Sequence, residues 1–216
     1  IVAAKKPRVV LLENVRGLRS HDSGNTLFRI IETLKDIGYQ VHESVLNARD
    51  FGLAQNRNRL FIVAIRNDIK NASNYKFPAA THSRSDLVVG NFLDPHVEEK
   101  YTISDRLWLG HQNRKQRNKE NGKGFGYQLF GPTSNYVATI SARYFKDGSE
   151  VLIEQEFGNP RKITPNEARR FQGFPDSFKL HSSDSVAYKQ LGNAVPVAVI
   201  RALAESLRPY LEELKE

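Results

Sequence analysis

The first apolar run, Val9-Val10-Leu11-Leu12, is continuous rather than alternating and contains two β-branched residues. Such a run reads as a fully buried strand of the parallel-sheet type. Residues 24–38 change period: Leu27, Ile30, Ile31, Leu34 and Ile37 fall on one face of a helix, and Gly38 stands where a helix ends. Residues 40–46 and 59–65 read as two further strands, with the polar stretch 47–58 and its Gly52 between them. A strand–helix–strand opening predicts an open α/β sheet.

Regularity fades after Asp68. Residues 69–100 are rich in Asn, Ser and Pro, 101–118 suit a helix, and 135–155 show strand-like runs around a turn at Lys146-Asp147-Gly148-Ser149. We read 79–160 as a small, loop-rich, mainly β domain. Helical signals return at Thr164-Pro165-Asn166-Glu167, a capping box with Pro at the first helical position, and that helix should end at Gly173. A last helix is expected from about Asn193, with Ile200, Leu203, Leu207, Leu211 and Leu214 as its apolar stripe and a break or restart at Pro209. The expected division is 1–78 with 191–216 as one part and 79–190 as the other.

Charge adds a partner class. Of the 216 residues, 32 are basic and 24 acidic, for a net charge of +8 and a pI near 9.7, which favours a polyanion. Half of that excess lies in 101–130, where Arg106, Arg114, Lys115, Arg117, Lys119 and Lys123 face only Asp105 and Glu120. Tyr101, Trp108, Phe125, Tyr127 and Phe130 interleave with them, as suits a nucleic acid, although a solvated helix face has the same composition. Cysteine is absent, which excludes a disulfide scaffold, a thiolate zinc site and a cysteine nucleophile from this chain. No apolar run reaches the roughly 20 residues of a membrane span, so no membrane partner is expected. Methionine is absent as well, and the chain opens within what reads as an element. A fragment, a processed chain or the second half of something larger is the expectation.

Three places carry candidate chemistry. Glu13 follows an apolar strand, where open α/β sheets place ligands, and a carboxylate there can donate or accept a proton; a salt-bridged glutamate at a sheet edge is the alternative. In Gln55-Asn56-Arg57-Asn58-Arg59 the two arginines are two apart before a strand, so alternation puts both on one face to clamp a phosphate and reach a base edge, or merely to flank the strand. In Gly192-Asn193-Ala194-Val195-Pro196, Asn193 suits the cap of the final helix, whose N–H groups suit a carboxylate or phosphate; a plain helix start is the alternative.

Each signal is weak alone, but their order is specific. LLENV at 11–15, QNRNR at 55–59, RKITPNEARRFQGFP at 161–175 and AYKQLGNAV at 187–195 resemble four blocks of the bacterial C5-cytosine DNA methyltransferases of restriction-modification systems. The resemblance covers most of 8–68 and 160–205. It implies the C-terminal part of a Rossmann-like methyltransferase sheet, with about 79–160 as a target recognition domain. It also implies a bacterial cytoplasmic enzyme that uses S-adenosylmethionine and acts on duplex DNA with the target cytosine flipped out.

By that resemblance Glu13 acts at the ring nitrogen 3 side of the cytosine and Arg59 contacts its carbonyl. Arg57 holds the nucleotide or its phosphates, and Asn193, Ala194 and Val195 meet the cofactor. Thr139-Ile140 resembles a Thr-Leu pair of the recognition region. Gln55, Arg114, Lys115, Thr139, Arg143 and Tyr144 become candidate DNA contacts.

The departures are as informative. The family's Pro-Cys nucleophile and its glycine-rich cofactor loop belong N-terminal to Glu13, so the chain alone should be inactive and should need the missing N-terminal half, on the same or a separate chain. Ala194 stands where the family often has Ser, so a side-chain hydroxyl to the cofactor is missing. A non-catalytic DNA-binding module, one subunit of a split methyltransferase and a degraded remnant are the alternatives.

Overall fold

The computed structural model describes residues 1–124 and 126–212, so Phe125 and Leu214 lie outside the described residues. The chain divides into two compact units. Unit 1 comprises residues 1–47, 58–80 and 199 onward; unit 2 comprises 48–57 and 81–198.

Unit 1 opens with a single helical turn, α1 (Val2–Lys5), and is built on three strands, β1 (Val9–Val15), β2 (Tyr39–Asn47) and β3 (Asn58–Arg66). They order β1-β3-β2, and both pairings are antiparallel. Among the described residues β1 has one neighbour, β3, and that pairing is antiparallel rather than the parallel kind expected at 9–12; Val10 is buried, and Leu11, Leu12 and Val15 are exposed in this chain.

The pleat sends alternate residues to opposite faces. Val10, Leu60, Ile62 and Ala64 meet Leu27 and Leu34 of α2 (Asn25–Asp36), joined by Ile30, Ile31 and Ile37, the helical stripe expected from periodicity. Gly38 adopts φ 96, the left-handed conformation that ends a helix and suits glycine. On the opposite face Val63 and Ile65 pack with Ile69, Tyr75 and Leu207.

Unit 2 is loop-rich. Its longest helix lying wholly within the unit is α3 (Asp105–Glu120), started by Ser104, whose side chain accepts from the Leu107 amide. The strand-like stretch 135–155 forms no hairpin; residues 142–147 are turns. Among its described residues the named strands are three two-residue pieces, β4 (Leu129–Phe130), β5 (Leu152–Ile153) and β6 (Arg161–Lys162), with β4 parallel and β6 antiparallel to β5, beside two isolated bridges. Apolar side chains at 137–153 serve a core of irregular backbone instead, with Val137, Ile140, Tyr144, Val151, Ile163, Phe171 and Tyr188 buried together.

The capping box forms as expected. Thr164 Oγ1 accepts from the Glu167 amide at 3.1 Å and Glu167 Oε2 accepts from the Thr164 amide at 2.7 Å, opening α4 (Pro165–Phe171). Gly173 follows at φ 78. Glu167 also forms a buried bidentate pair with Arg161, both bonds 2.8 Å. The final segment differs from expectation. Asn193 is the last residue of α5 (Asp184–Asn193), and the last helix, α6, spans Val197–Leu211 without stopping at Pro209. Proline there sits in the last turn, where its missing N–H removes a single hydrogen bond.

Candidate functional site

In unit 1, Glu13 lies within β1 and Arg59 within β3. The register sets Glu13 opposite Phe61 and Val15 opposite Arg59, so Glu13 and Arg59 are diagonal neighbours on one face. Arg59 Nε donates to Glu13 Oε1 at 2.9 Å, with the two side chains 13% and 30% exposed. Burial pulls the Arg59 guanidinium below its ordinary range, while the Glu13 charge and their hydrogen bond push it back. Arginine remains cationic under such conditions, so the pair presents a carboxylate and a guanidinium side by side, partly open to solvent.

Unit 2 holds the remaining predicted residues, and they separate into buried and exposed sets. Gln55 is fully buried: its carboxamide donates to the Phe171 carbonyl at 3.0 Å and accepts from the Ile140 amide at 3.1 Å. Arg57 is 2% exposed, and its two terminal nitrogens donate to the carbonyls of Ile140, Gly192 and Ala194 at 2.8–2.9 Å. Tyr144 is fully buried, its hydroxyl donating to the Val151 carbonyl at 2.6 Å and accepting from the Ile163 amide at 2.9 Å. Burial pushes that phenol far above its ordinary range. From the sequence, Gln55 and Tyr144 are expected to reach DNA and Arg57 to clamp a phosphate; in the structure all three side chains are buried. Each polar group is committed to backbone inside the protein.

Thr139 is half-buried and donates to the Asn56 carbonyl at 2.8 Å. Arg114 is half-buried, paired with Asp147 at 3.0 Å and donating to His111 Nδ1 at 3.0 Å. Lys115 is exposed, its ammonium 4.2 Å from the centre of the Tyr127 ring, and Tyr127 meets Trp108 edge-on. Arg143 is exposed, as are Arg106, Arg117, Lys119 and Lys123. Of the basic and aromatic residues that interleave in the sequence, Lys115, Tyr127 and Trp108 adjoin at α3.

Asn193 is exposed at the end of α5, with Ala194 and Val195 half-buried behind it. Asn193 does not cap the final helix, and the first amide of α6, Val197, donates to the Gln172 carbonyl at 2.9 Å. One amide of the helix start expected to bind an anion is thus taken by backbone. His111 escaped the sequence reading, as did the close packing of Gly192, although that glycine was named there. His111 is buried under α3 with its ring nitrogens on Arg114 and the Asp147 carbonyl. Gly192 lies so close to residues 141–142 that a Cβ there would sit 2.3 Å from the Ser141 carbonyl oxygen. The His111–Arg114 contact is the i, i+3 spacing of one helix turn, whereas the His111–Asp147 and Gly192–Ser141 contacts have no local signal, because those partners are distant in sequence.

Comparison with known proteins agrees with the four sequence blocks. The family profile "C-5 cytosine-specific DNA methylase" matches residues 1–208. Type II methyltransferase M1.ScrFI of Lactococcus lactis subsp. cremoris is 52% identical over 217 residues, covering 100% of this chain and 55% of the relative. Type II methyltransferase M.NlaX of Neisseria lactamica is also 52% identical over 217 residues, with 67% of that protein covered. The chain thus spans a little over half to two-thirds of the length of these relatives. In fold it is similar to the crystal structure of the S. pombe Dnmt2 methyltransferase, with a TM-score of 0.73 at 18% identity over 94% of this chain and 66% of that one. With four sequence blocks in order and a profile match over nearly its whole length, the chain belongs to the C-5 cytosine-specific DNA methylase family.

Proposed function

We propose that this chain is the C-terminal portion of a DNA cytosine-5-methyltransferase of a restriction-modification system. The observation that carries the reading is the Glu13–Arg59 pair, half open on adjacent strands, in a chain of that family. Addition of a thiolate to cytosine carbon 6 places negative charge on the ring, and a proton or hydrogen bond at nitrogen 3 neutralises it. Glu13 supplies that contact, and Arg59 orients Glu13 and receives the ring carbonyl. Carbon 5, made nucleophilic, takes the methyl group; loss of its proton and of the thiolate restores the ring. The thiolate comes from the part of the protein outside this chain, which holds no cysteine. Reaching carbon 6 requires that the cytosine leave the duplex stack.

S-adenosylmethionine, when bound, supplies the methyl group. On this chain the exposed carboxamide of Asn193 fits such a polar ligand, whereas the neighbouring carbonyls of Gly192 and Ala194 are held by Arg57. The exposed cations along α3, with Arg143, would meet phosphates, a reading supported by their exposure and charge.

The test is methyl transfer from labelled S-adenosylmethionine to duplex DNA. The full-length protein should be active and this chain alone inactive. Glu13→Gln in the full-length protein should lower the rate by roughly 10²–10⁴-fold, the usual scale of general acid–base groups, with little change in DNA affinity. Turnover by the isolated chain, or a near-normal rate in the Glu13→Gln enzyme, would overturn the mechanism.

A further inference from the structure

Arg57 is 2% exposed, and three carbonyls that accept from it come from two separate segments of unit 2. One terminal nitrogen donates to the Ile140 carbonyl at 2.9 Å; the other donates to Gly192 and Ala194, each at 2.8 Å. Gly192 and Ala194 end α5, where helix carbonyls lack intrahelical partners and carry partial negative charge. A buried cation there is stabilised by the helix terminus itself.

The same junction is closed by backbone contact. A Cβ on Gly192 would lie 2.3 Å from the Ser141 carbonyl oxygen and 2.4 Å from the Ala142 nitrogen. It is laced further by Gln55, bonded to Ile140 and Phe171, and by Gln172, whose carboxamide donates to the Leu191 carbonyl at 2.7 Å. Next to these carbonyls in sequence stand Thr139 on one segment and Asn193 on the other.

We propose that Arg57 is a positioning residue, which holds the Asn193 turn against the Thr139–Ile140 segment so that cofactor contact and target recognition are set by one buried guanidinium. This rests on the functional reading above, in which Asn193 meets the cofactor and Thr139 belongs to the recognition region. Arginine is needed because its planar fork reaches three acceptors in two directions; a lysine ammonium at the same stem is a single point of donation. A phosphate role is displaced, since an anion would have to evict three carbonyls from a site closed to solvent.

The experiment uses the full-length enzyme with Arg57→Lys and Gly192→Ala, and Leu203→Ala as a core-destabilised control. Arg57→Lys should raise the KM for S-adenosylmethionine by roughly 10- to 100-fold, the scale of losing a hydrogen bond to a charged group. The slope of log DNA affinity against log salt should stay unchanged, because no phosphate contact is lost. Gly192→Ala, which wedges the junction without altering charge, should reproduce the KM effect and decides the matter if Arg57→Lys does not fold. Leu203→Ala should lower the melting temperature and leave the KM in place. A normal cofactor KM in either junction variant, a salt slope reduced by about one in Arg57→Lys, or an equal KM rise in Leu203→Ala would overturn the inference. A full-length wild type that transfers no methyl group would instead overturn the functional reading beneath it.

Discussion

At the scale of single residues, the polar side chains of unit 2 divide by what their hydrogen-bonding groups face. Gln55, Arg57 and Tyr144 look in sequence like surface contacts, yet each satisfies backbone groups that would otherwise be buried unpaired. Lys115, Arg143 and Asn193 keep their polar ends at the surface. Tyr144 gives the sharpest test of this division. Tyr144→Phe removes one hydroxyl and leaves both the Val151 carbonyl and the Ile163 amide without that partner. The expected cost is about 1–3 kcal/mol of stability, read from the denaturation midpoint at unchanged slope. The choice of DNA site should not change. A relaxed site preference with unaltered stability would restore Tyr144 to the DNA interface.

At the scale of elements, α3 is tied to unit 2 by polar contacts as well as packing. His111 is 1% exposed. Arg114 donates to its Nδ1, so the neutral ring carries its proton on Nε2, which donates to the Asp147 carbonyl at 3.2 Å. Burial holds the imidazole below the ordinary histidine range, and the Arg114 charge works in the same direction; the Asp147 carbonyl and carboxylate oppose them.

The unfolded chain therefore binds this proton more readily than the folded one. The stability contributed by neutral His111 is complete above the unfolded value near 6.5 and is lost as pH falls below it toward the depressed folded value. Melting temperature should fall between about pH 7 and pH 5, and His111→Gln, which keeps a donor and an acceptor without titrating, should flatten that dependence. An unchanged pH profile in the variant would remove His111 from the account.

At the scale of the whole molecule, the net charge of +8 matters through where it is exposed. Arg106, Lys115, Arg117, Lys119 and Lys123 are all exposed on or just after α3, whereas the guanidiniums of Arg57 and Arg161 are internal. Phosphate contacts position a protein on DNA, and base-edge contacts choose the sequence. Replacing residues 79–160 in the full-length enzyme by the corresponding segment of a relative with a different recognition site should transfer the choice of site. Methylation of the original site by an active chimera would move recognition elsewhere in the chain. Among the described residues no helix is long and apolar enough to cross a membrane.

Periodicity alone determined the elements whose burial depends on near neighbours. The α2 stripe, the two strands at 39–47 and 58–66, and the Thr164 capping box follow from side chains within a few positions of one another. The order of the four blocks likewise carried the family and brought Glu13 and Arg59 into view. Only the tertiary structure decided the antiparallel placement of β1, because strand direction depends on a partner some 50 positions away. It also decided that 135–155 packs as irregular core rather than as a hairpin, and that Gln55, Arg57 and Tyr144 face inward. Apolar patterning shows which side chains avoid water, but not which carbonyl a polar group will meet. For Arg57 those carbonyls lie 83, 135 and 137 residues along the chain, a separation no local pattern encodes.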